Sequence, residues 1–269
     1  MASDNATGSW TSEGLMAHSE PNGRSDVSPA PSDARRRTLK TSEFVALEIV
    51  HDIVAQGLRT GDRLPQEAAM VEQYGVSRAS LREAVRLLEV QGLIRLKPGP
   101  GGGPVVGMVD AANLARTTSL YFHLGGASYH HLLQTQLLME PVCAQLAAQH
   151  PDRRRVMEPF FEPVPVEPES GYRTHTVDFH AAVYHLTANP VLRLLTEAMT
   201  HIVSDHVVAT MDPVEMRAAV ADEHAVLARA IAAGHGDKAH RLMTDHFQAQ
   251  HDYYRQHWPT RLDKLIEWR

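Results

Sequence analysis

The first regular pattern of hydrophobic positions begins at Ser42 and has helical spacing. Apolar residues recur there every three or four positions as far as Gly57, which predicts one helix. Two shorter patterns follow: the first ends at Tyr74, and the second runs from Ser77 to Gln91, with a glycine after each. Two short helices joined by a glycine-containing turn predict a helix-turn-helix.

The pattern changes after residue 92. Two short runs rich in branched apolar residues flank a loop dense in proline and glycine, LIRLKPGPGGGPVVGMV, which predicts a two-stranded hairpin with a flexible tip, the wing of a winged helix. From Asp110 onward the strand signals stop, and amphipathic helical stretches predict a bundle, interrupted by a proline-rich loop over 158–170. The helical stretches cover residues 113–124, 128–149, 174–188, 191–209, 213–233 and 237–257.

These patterns predict a mainly α protein with two domains. Residues 1–40 lack periodic apolar positions and are expected to form a disordered tail. We assign residues 41–109 to a winged helix-turn-helix domain with a two-stranded wing, 110–258 to an all-α helical bundle and 259–269 to a C-terminal tail. The length of 269 residues agrees with two domains.

Composition narrows the functions open to these domains. The formal net charge of −6 excludes a surface that is basic throughout, so nucleic-acid binding requires a local patch. The single cysteine, Cys143, excludes an intrachain disulfide, and neither a signal peptide nor a long apolar run is present, so we expect a cytoplasmic protein that does not enter the membrane. The basic run Arg35–Arg37 with Lys40 fits either a solvated linker or an arm that contacts phosphate.

The second helix of the helix-turn-helix carries a local basic patch. Arg78, Arg82 and Arg86 recur every four residues and form one stripe. Ser77 can cap the helix and present its first backbone amides to a phosphate. The neighbouring stripe, which must face the core, consists of Leu81, Ala84, Val85 and Leu88. A helix divided in this way can lie in the major groove of DNA.

The run GDRLPQEAAMVEQYGVSRASLREAVRLLEVQGLIRLKPGPGGGPVV resembles the winged-helix signature of the GntR superfamily of transcriptional regulators in motif order and spacing. Two later stretches, VDFHAAVYHLTANPVLRLL and DEHAVLARAIAAGHGDKAHRLMTDHF, resemble the C-terminal domain of the FadR subfamily. The resemblance spans most of residues 42–250. It implies a homodimeric repressor that binds double-stranded operator DNA and is controlled by a small organic acid or acyl-CoA effector in the helical domain.

The resemblance also implies which residues contact DNA. Residue 68, directly after the glutamate of the LPxE motif, is commonly arginine in the family but is Ala68 here, so one expected contact is missing. The triple glycine lets the wing approach the minor groove closely. The positions that match the family's DNA contacts are Ser77, Arg78, Ser80, Arg82, Lys97, Gly101, Gly102 and Gly103.

Three histidines of the second domain have the spacing of a metal site. His224 lies ten residues before Gly234 and His246 ten residues after Gly236, so a helical hairpin places both about 15 Å from its turn. His180, on an earlier helix, supplies a third imidazole, and three imidazoles in a bundle suit zinc or nickel. The alternative is that all three are packed structural histidines.

The family resemblance adds two departures at this site. Metal-binding relatives carry an aspartate four residues before the first histidine, where this chain has Thr176, and Asp178 is expected to point to the other side of the helix. Gln136, one turn before Glu140, stands where many relatives have arginine. Thr176 and Gln136 are therefore the positions expected to face the effector.

Three other functions remain open from the sequence. The helical domain could hold a long acyl-CoA without metal, or serve only as a dimeriser in an architectural DNA-binding protein. A metal-dependent hydrolase fused to a DNA-binding module is a third alternative, but the sequence has neither an HExxH run nor a nucleophile elbow. We therefore expect no catalytic residues.

Overall fold

The structure is a computed structural model and describes residues 40–99, 101–108, 110–208 and 214–268. The predicted N-terminal tail, with Arg35–Arg37, lies outside the described residues. Contacts between residues divide the chain into two compact units. One contains the chain up to Leu87 and Pro98–Val106, and the other contains Leu88–Lys97 and the chain from Gly107.

The N-terminal elements are three helices followed by a two-stranded antiparallel sheet, so the predicted mainly α class with a wing is confirmed. Gly75 ends the second helix with a positive φ of 62°, a left-handed conformation that costs glycine little and other residues more. The elements are α1 (Thr41–Ala55), α2 (Glu67–Tyr74), α3 (Arg78–Val90), β1 (Ile94–Lys97) and β2 (Gly103–Val106).

Helix α3 buries the predicted apolar stripe and exposes the basic one. Leu81 is 1% exposed and Ala84 is fully buried, whereas Val85 is only half-buried. The three arginines of the opposite stripe are exposed. The predicted turn GDRLP also pairs with β2, because the Leu64 amide donates to the Pro104 carbonyl at 3.0 Å.

Between Ala111 and Leu262, the described residues are mainly helical, as predicted. A tight turn at Gly234 joins two long helices into the expected hairpin. Along the described ranges, no helix is both long and apolar enough to cross a membrane. The helices are α4 (Ala111–Leu124), α5 (Tyr129–Ala147), α6 (Arg153–Met157), α7 (Glu169–His185), α8 (Pro190–Val203), α9 (Arg217–Ala232), α10 (Gly236–His257) and α11 (Pro259–Leu262).

The loop between α6 and α7 is shorter than the predicted 158–170. A 3-10 turn covers Glu158–Phe160, and α7 begins at Glu169, five residues before the predicted start of a helix at 174. The residues 169–173 contain one apolar side chain, Tyr172, so their sequence shows no amphipathic period. Tertiary packing extends the helix, since Tyr172 is buried against α9 residues such as Val220.

The segment after residue 258, predicted as a tail, is packed on the helical unit. Leu262 is 2% exposed and Ile266 1% exposed, and both belong to the hydrophobic core between α4, α5 and α8. The Ile266 amide donates to the Ala127 carbonyl at 2.9 Å. The apolar residues of this segment, Leu262, Leu265, Ile266 and Trp268, span too few positions to predict this docking from their spacing.

Candidate DNA-binding face and candidate metal centre

The start of α3 has the geometry of a capped recognition helix. The Ser77 hydroxyl accepts a hydrogen bond from the Ser80 backbone amide at 3.1 Å, and the two hydroxyls lie 3.0 Å apart. Arg78 and Arg82 are exposed in the first turns of the helix. The cap fixes the point at which the helix begins, and both guanidinium groups remain accessible to DNA.

Arg82 has a partner that sequence reasoning missed. Its Nε donates to both carboxylate oxygens of Glu67, at 3.2 and 3.1 Å. The side chains are 70% and 39% exposed, so the pair contributes at most about 1 kcal/mol to stability. Glu67 is the glutamate of the LPxE motif, so the motif was the sequence signal that could have identified Glu67 as the partner of Arg82. Ala68, the next residue, is exposed and carries no side chain that could contact DNA as the arginine common in the family does.

The wing tip is held close to the start of α2. Gln66 Nε2 donates to the Gly102 carbonyl at 2.9 Å, and a Cβ on Gly103 would lie 2.9 Å from the same nitrogen. Gly103 has a φ of 132°, a backbone conformation that favours glycine, whereas the contact with Gln66 involves a flexible side-chain end that can move. Gly101 is exposed in the loop, and Lys97 is exposed at the end of β1.

In the helical unit, the structure brings together the three histidines selected from the sequence. His180 on α7, His224 on α9 and His246 on α10 are buried, with exposures of 6%, 1% and 1%. One potential ligand atom from each lies within 4.8 Å of the other two. The helical hairpin places His224 and His246 at matching depth, and their ring centroids are 4.9 Å apart.

The contacts of His246 assign the proton on its ring. Its Nδ1–H donates to Glu223 Oε2 at 2.6 Å, while Gln250 Nε2 donates to its Nε2 at 2.7 Å. The ring is therefore neutral, with its lone pair on Nε2. Burial lowers the pKa of His246, and the hydrogen bond to Glu223 partly opposes that shift. A neutral imidazole is the form that binds metal.

His224 lies deepest in the cluster and has no carboxylate at hydrogen-bond distance among the residues described. Its ring stacks on Phe179 with centroids 4.2 Å apart. Burial, followed by the neighbouring His246 and His180, lowers the pKa of His224 well below its usual value. Its Nε2 is buried and makes no hydrogen bond to any described residue. Burying a ring nitrogen without a hydrogen-bond partner costs free energy, and a bound metal ion would remove that cost.

The two predicted effector positions also lie on buried faces. Gln136 is 3% exposed, and its Oε1 has no hydrogen-bond partner in the described part of the chain. The Thr176 Oγ1 atom is also buried and has no hydrogen-bond partner there. Gln136 is followed four residues later on α5 by Glu140, and Thr176 is followed four residues later on α7 by His180. Asp178 is exposed, as predicted.

Sequence reasoning gave no role to Glu140, which is completely buried in α5. Its Oε1 accepts a hydrogen bond from the Tyr184 hydroxyl, and its Oε2 lies 3.7 Å from His180 Nδ1. The available signal was the four-residue spacing that places Glu140 after Gln136 and Tyr184 after His180 on one helix face. The spacing identifies the face of each helix, whereas only the fold identifies the element that it meets.

The three histidines fit a divalent ion of the zinc type. Zinc–nitrogen bonds are about 2.0–2.1 Å long, so ligand nitrogens lie somewhat closer together around an ion than the 4.8 Å limit found here. Binding of an ion would therefore draw the three nitrogens closer together. One buried ring nitrogen that makes no hydrogen bond to any described residue, His224 Nε2, supports the fit.

Comparison with known proteins agrees with both units. Residues 41–102 match the family described as bacterial regulatory proteins, gntR family, and residues 131–249 match the FCD domain. The chain is 27% identical to the HTH-type transcriptional regulator LutR of Bacillus subtilis over 70% of this chain and 90% of the relative. It is 24% identical to the repressor NanR of Edwardsiella tarda, over 80% and 86%.

A third relative and a solved structure extend the comparison. The Uxu operon regulator of Haemophilus influenzae is 28% identical over 56% of this chain and 57% of its own length. The solved structure of a Streptococcus agalactiae GntR covers 78% of this chain and 99% of its own, with a TM-score of 0.57 at 21% identity, which shows the shared fold.

A winged helix joined to a helical ligand-binding domain defines a class, the DNA-binding transcriptional regulators that respond to small molecules. The chain belongs within that class to the gntR family of bacterial regulatory proteins and carries an FCD domain.

Proposed function

We propose that the protein is a homodimeric, cytoplasmic repressor whose operator affinity changes when a small carboxylate effector binds in the FCD domain. The observation that carries the proposal is the buried histidine cluster in the FCD domain. Two buried oxygens, Gln136 Oε1 and Thr176 Oγ1, make no hydrogen bond to any described residue and lie one turn before Glu140 and His180 on their helices. The exposed arginines of α3 supply the DNA-binding face.

His180, His224 and His246 would hold a divalent ion, zinc or nickel. When bound, the ion supplies a positive charge and open coordination positions for an anionic oxygen. Gln136 lies one turn before Glu140 on α5, and Thr176 lies one turn before His180 on α7. Both side chains offer hydrogen bonds that would orient the effector. Effector affinity and metal content are therefore expected to depend on each other.

The first prediction concerns this dependence. Operator duplexes selected from random DNA by the full chain are titrated by fluorescence anisotropy while small hydroxy and keto acids are added. With zinc present, at least one acid is expected to shift operator affinity about fivefold or more, because coupling between sites is typically about 1–3 kcal/mol. Chelation should remove the response. A response that persists without metal, or no response to any acid, contradicts the proposal.

A homodimer is expected because one winged helix covers one half-site. The helical unit exposes an apolar surface on two helices that pack together, α5 and α8. On α5, Leu138 is 74% and Val142 41% exposed; on α8, Val191 is 66% and Leu195 42% exposed. Exposed apolar residues spaced four apart on two helices that pack together are suited to contact a second copy of the chain.

The second prediction tests that patch. Leu138→Asp should convert the dimer to monomer at micromolar concentration in sedimentation velocity, since a charge would be buried without a partner. Val54→Asp, at a 72% exposed position on α1, is the matched control and should leave the dimer intact. A monomeric unmodified chain at that concentration contradicts the homodimer.

One observation favours a second candidate, an acyl thioester effector. An apolar cavity of about 260 Å³ lies between α4, α5, α8 and the C-terminal segment. It is lined mainly by apolar side chains, including Phe122, Leu132, Met139, Met199 and Ile266. Acyl-CoA that changes operator affinity equally with and without chelator would favour this candidate over the carboxylate effector.

A further inference from the structure

Two carboxylates lie beside ring nitrogens of the histidine cluster. Glu223, on α9, accepts the Nδ1 proton of His246 at 2.6 Å. Glu140, on α5, places Oε2 3.7 Å from Nδ1 of His180. A carboxylate hydrogen-bonded to one ring nitrogen holds the proton there and leaves the lone pair on the other nitrogen for a metal ion. Glu223 makes this bond to His246, whose Nε2 would exchange its hydrogen bond from Gln250 for the ion, whereas Glu140 lies beside His180 Nδ1 without a hydrogen bond.

Glu140 is difficult to explain as a packing residue. It is completely buried, and one carboxylate oxygen accepts from Tyr184, whose hydroxyl also lies 2.9 Å from Thr200 Oγ1. The other oxygen has no hydrogen-bond partner among the residues that the structure describes. A buried carboxylate with an unfilled oxygen is costly unless positive charge lies nearby. The group that this oxygen faces is His180.

Within one turn of His180, helix α7 supplies no carboxylate on the face that carries this histidine. One turn before it stands Thr176, whose buried hydroxyl is neutral, and Asp178 is exposed. Three neutral imidazoles leave the full charge of a divalent ion uncompensated. Glu140 and Glu223 together would supply two negative charges. A histidine ring would lie between each carboxylate and the ion.

We infer that Glu140 and Glu223 are the positioning residues of the metal centre. They orient His180 and His246 and balance the charge of the ion from outside the ligand set, which leaves its remaining coordination positions to the effector. This inference rests on the proposed function, because it requires that the histidines bind a metal ion. It also accounts for a threonine at position 176, since the charge is already balanced elsewhere.

The test compares Glu140→Gln and Glu223→Gln in the full chain. Zinc affinity is measured by competition with a chelator, and the ligand set is followed in the visible spectrum of cobalt-loaded protein. Each variant is expected to bind zinc about 10–100-fold more weakly, with cobalt band positions and intensities unchanged. Glu197→Gln, which removes a carboxylate paired with Arg193 on α8, is the matched control and should change neither measurement.

Unchanged zinc affinity in both variants overturns the inference. A cobalt spectrum altered by Glu140→Gln also overturns it, because the carboxylate would then be a ligand itself. Glu223 is 40% exposed, so Glu223→Gln is expected to fold. This variant still tests the inference if Glu140→Gln, at a completely buried position, fails to fold. Failure of the unmodified protein to bind zinc or cobalt is a separate result, which refutes the proposed metal centre.

Discussion

Replacement of His224 by alanine is expected to remove most of the stabilisation that zinc gives to the protein. Loss of an outer partner of a metal ligand costs about 10–100-fold in affinity, so loss of a ligand should cost about 100-fold or more. At zinc concentrations one hundred times the native Kd, binding stabilises the folded chain by about 2.7 kcal/mol, and a hundredfold weaker site yields only about 0.4 kcal/mol. Thermal unfolding with zinc and with chelator measures the difference.

His251→Ala is the matched control for this experiment. His251 is also buried, at 6% exposure, and its ring stacks on His130 with centroids 5.2 Å apart, outside the cluster. Its loss should lower stability equally with zinc and with chelator, and the zinc-dependent gain should remain near that of the unmodified chain. A full zinc-dependent gain in His224→Ala would show that zinc binds without His224 and would refute the proposed three-histidine centre.

Much of the architecture could be predicted because the local signals are strong. The arginine stripe of α3 beside Leu81 and Ala84 identifies an amphipathic helix, and the glycine-rich loop identifies the wing. The packed segment around Ile266 and the early start of α7 at Glu169 could not be predicted, since their stability comes from contacts with residues distant in sequence. Periodicity reports the face of an element and not its partner.

The candidate metal centre shows the same division. The mirrored distances of His224 and His246 from the turn at Gly234 follow from helix geometry, so their meeting could be predicted. Glu140 could not, because its relation to His180 depends on how α5 packs against α7. A buried glutamate in a helix is also uncommon without a partner, so sequence alone favours an exposed position for it.

Arg82→Ala is expected to lower operator affinity about 5–150-fold at fixed salt, equivalent to the loss of about 1–3 kcal/mol. Arg82 is exposed near the capped start of α3, where a recognition helix meets base edges and phosphates. Anisotropy titrations over a range of salt concentrations separate the two kinds of contact. If Arg82 contacts a phosphate, its loss reduces the salt dependence of binding by about one ion. If it contacts a base, its loss relaxes discrimination at one position of the operator.

Two further variants make the result specific. Arg155→Ala removes an arginine that is 77% exposed on α6 and should leave operator affinity unchanged. Glu67→Gln removes the carboxylate that holds the Arg82 guanidinium, and because that carboxylate competes with phosphate for the same group, DNA affinity should stay equal or rise. Equal losses in Arg155→Ala and Arg82→Ala would indicate a general charge effect, and unchanged binding in Arg82→Ala would place the DNA contacts elsewhere on the winged helix.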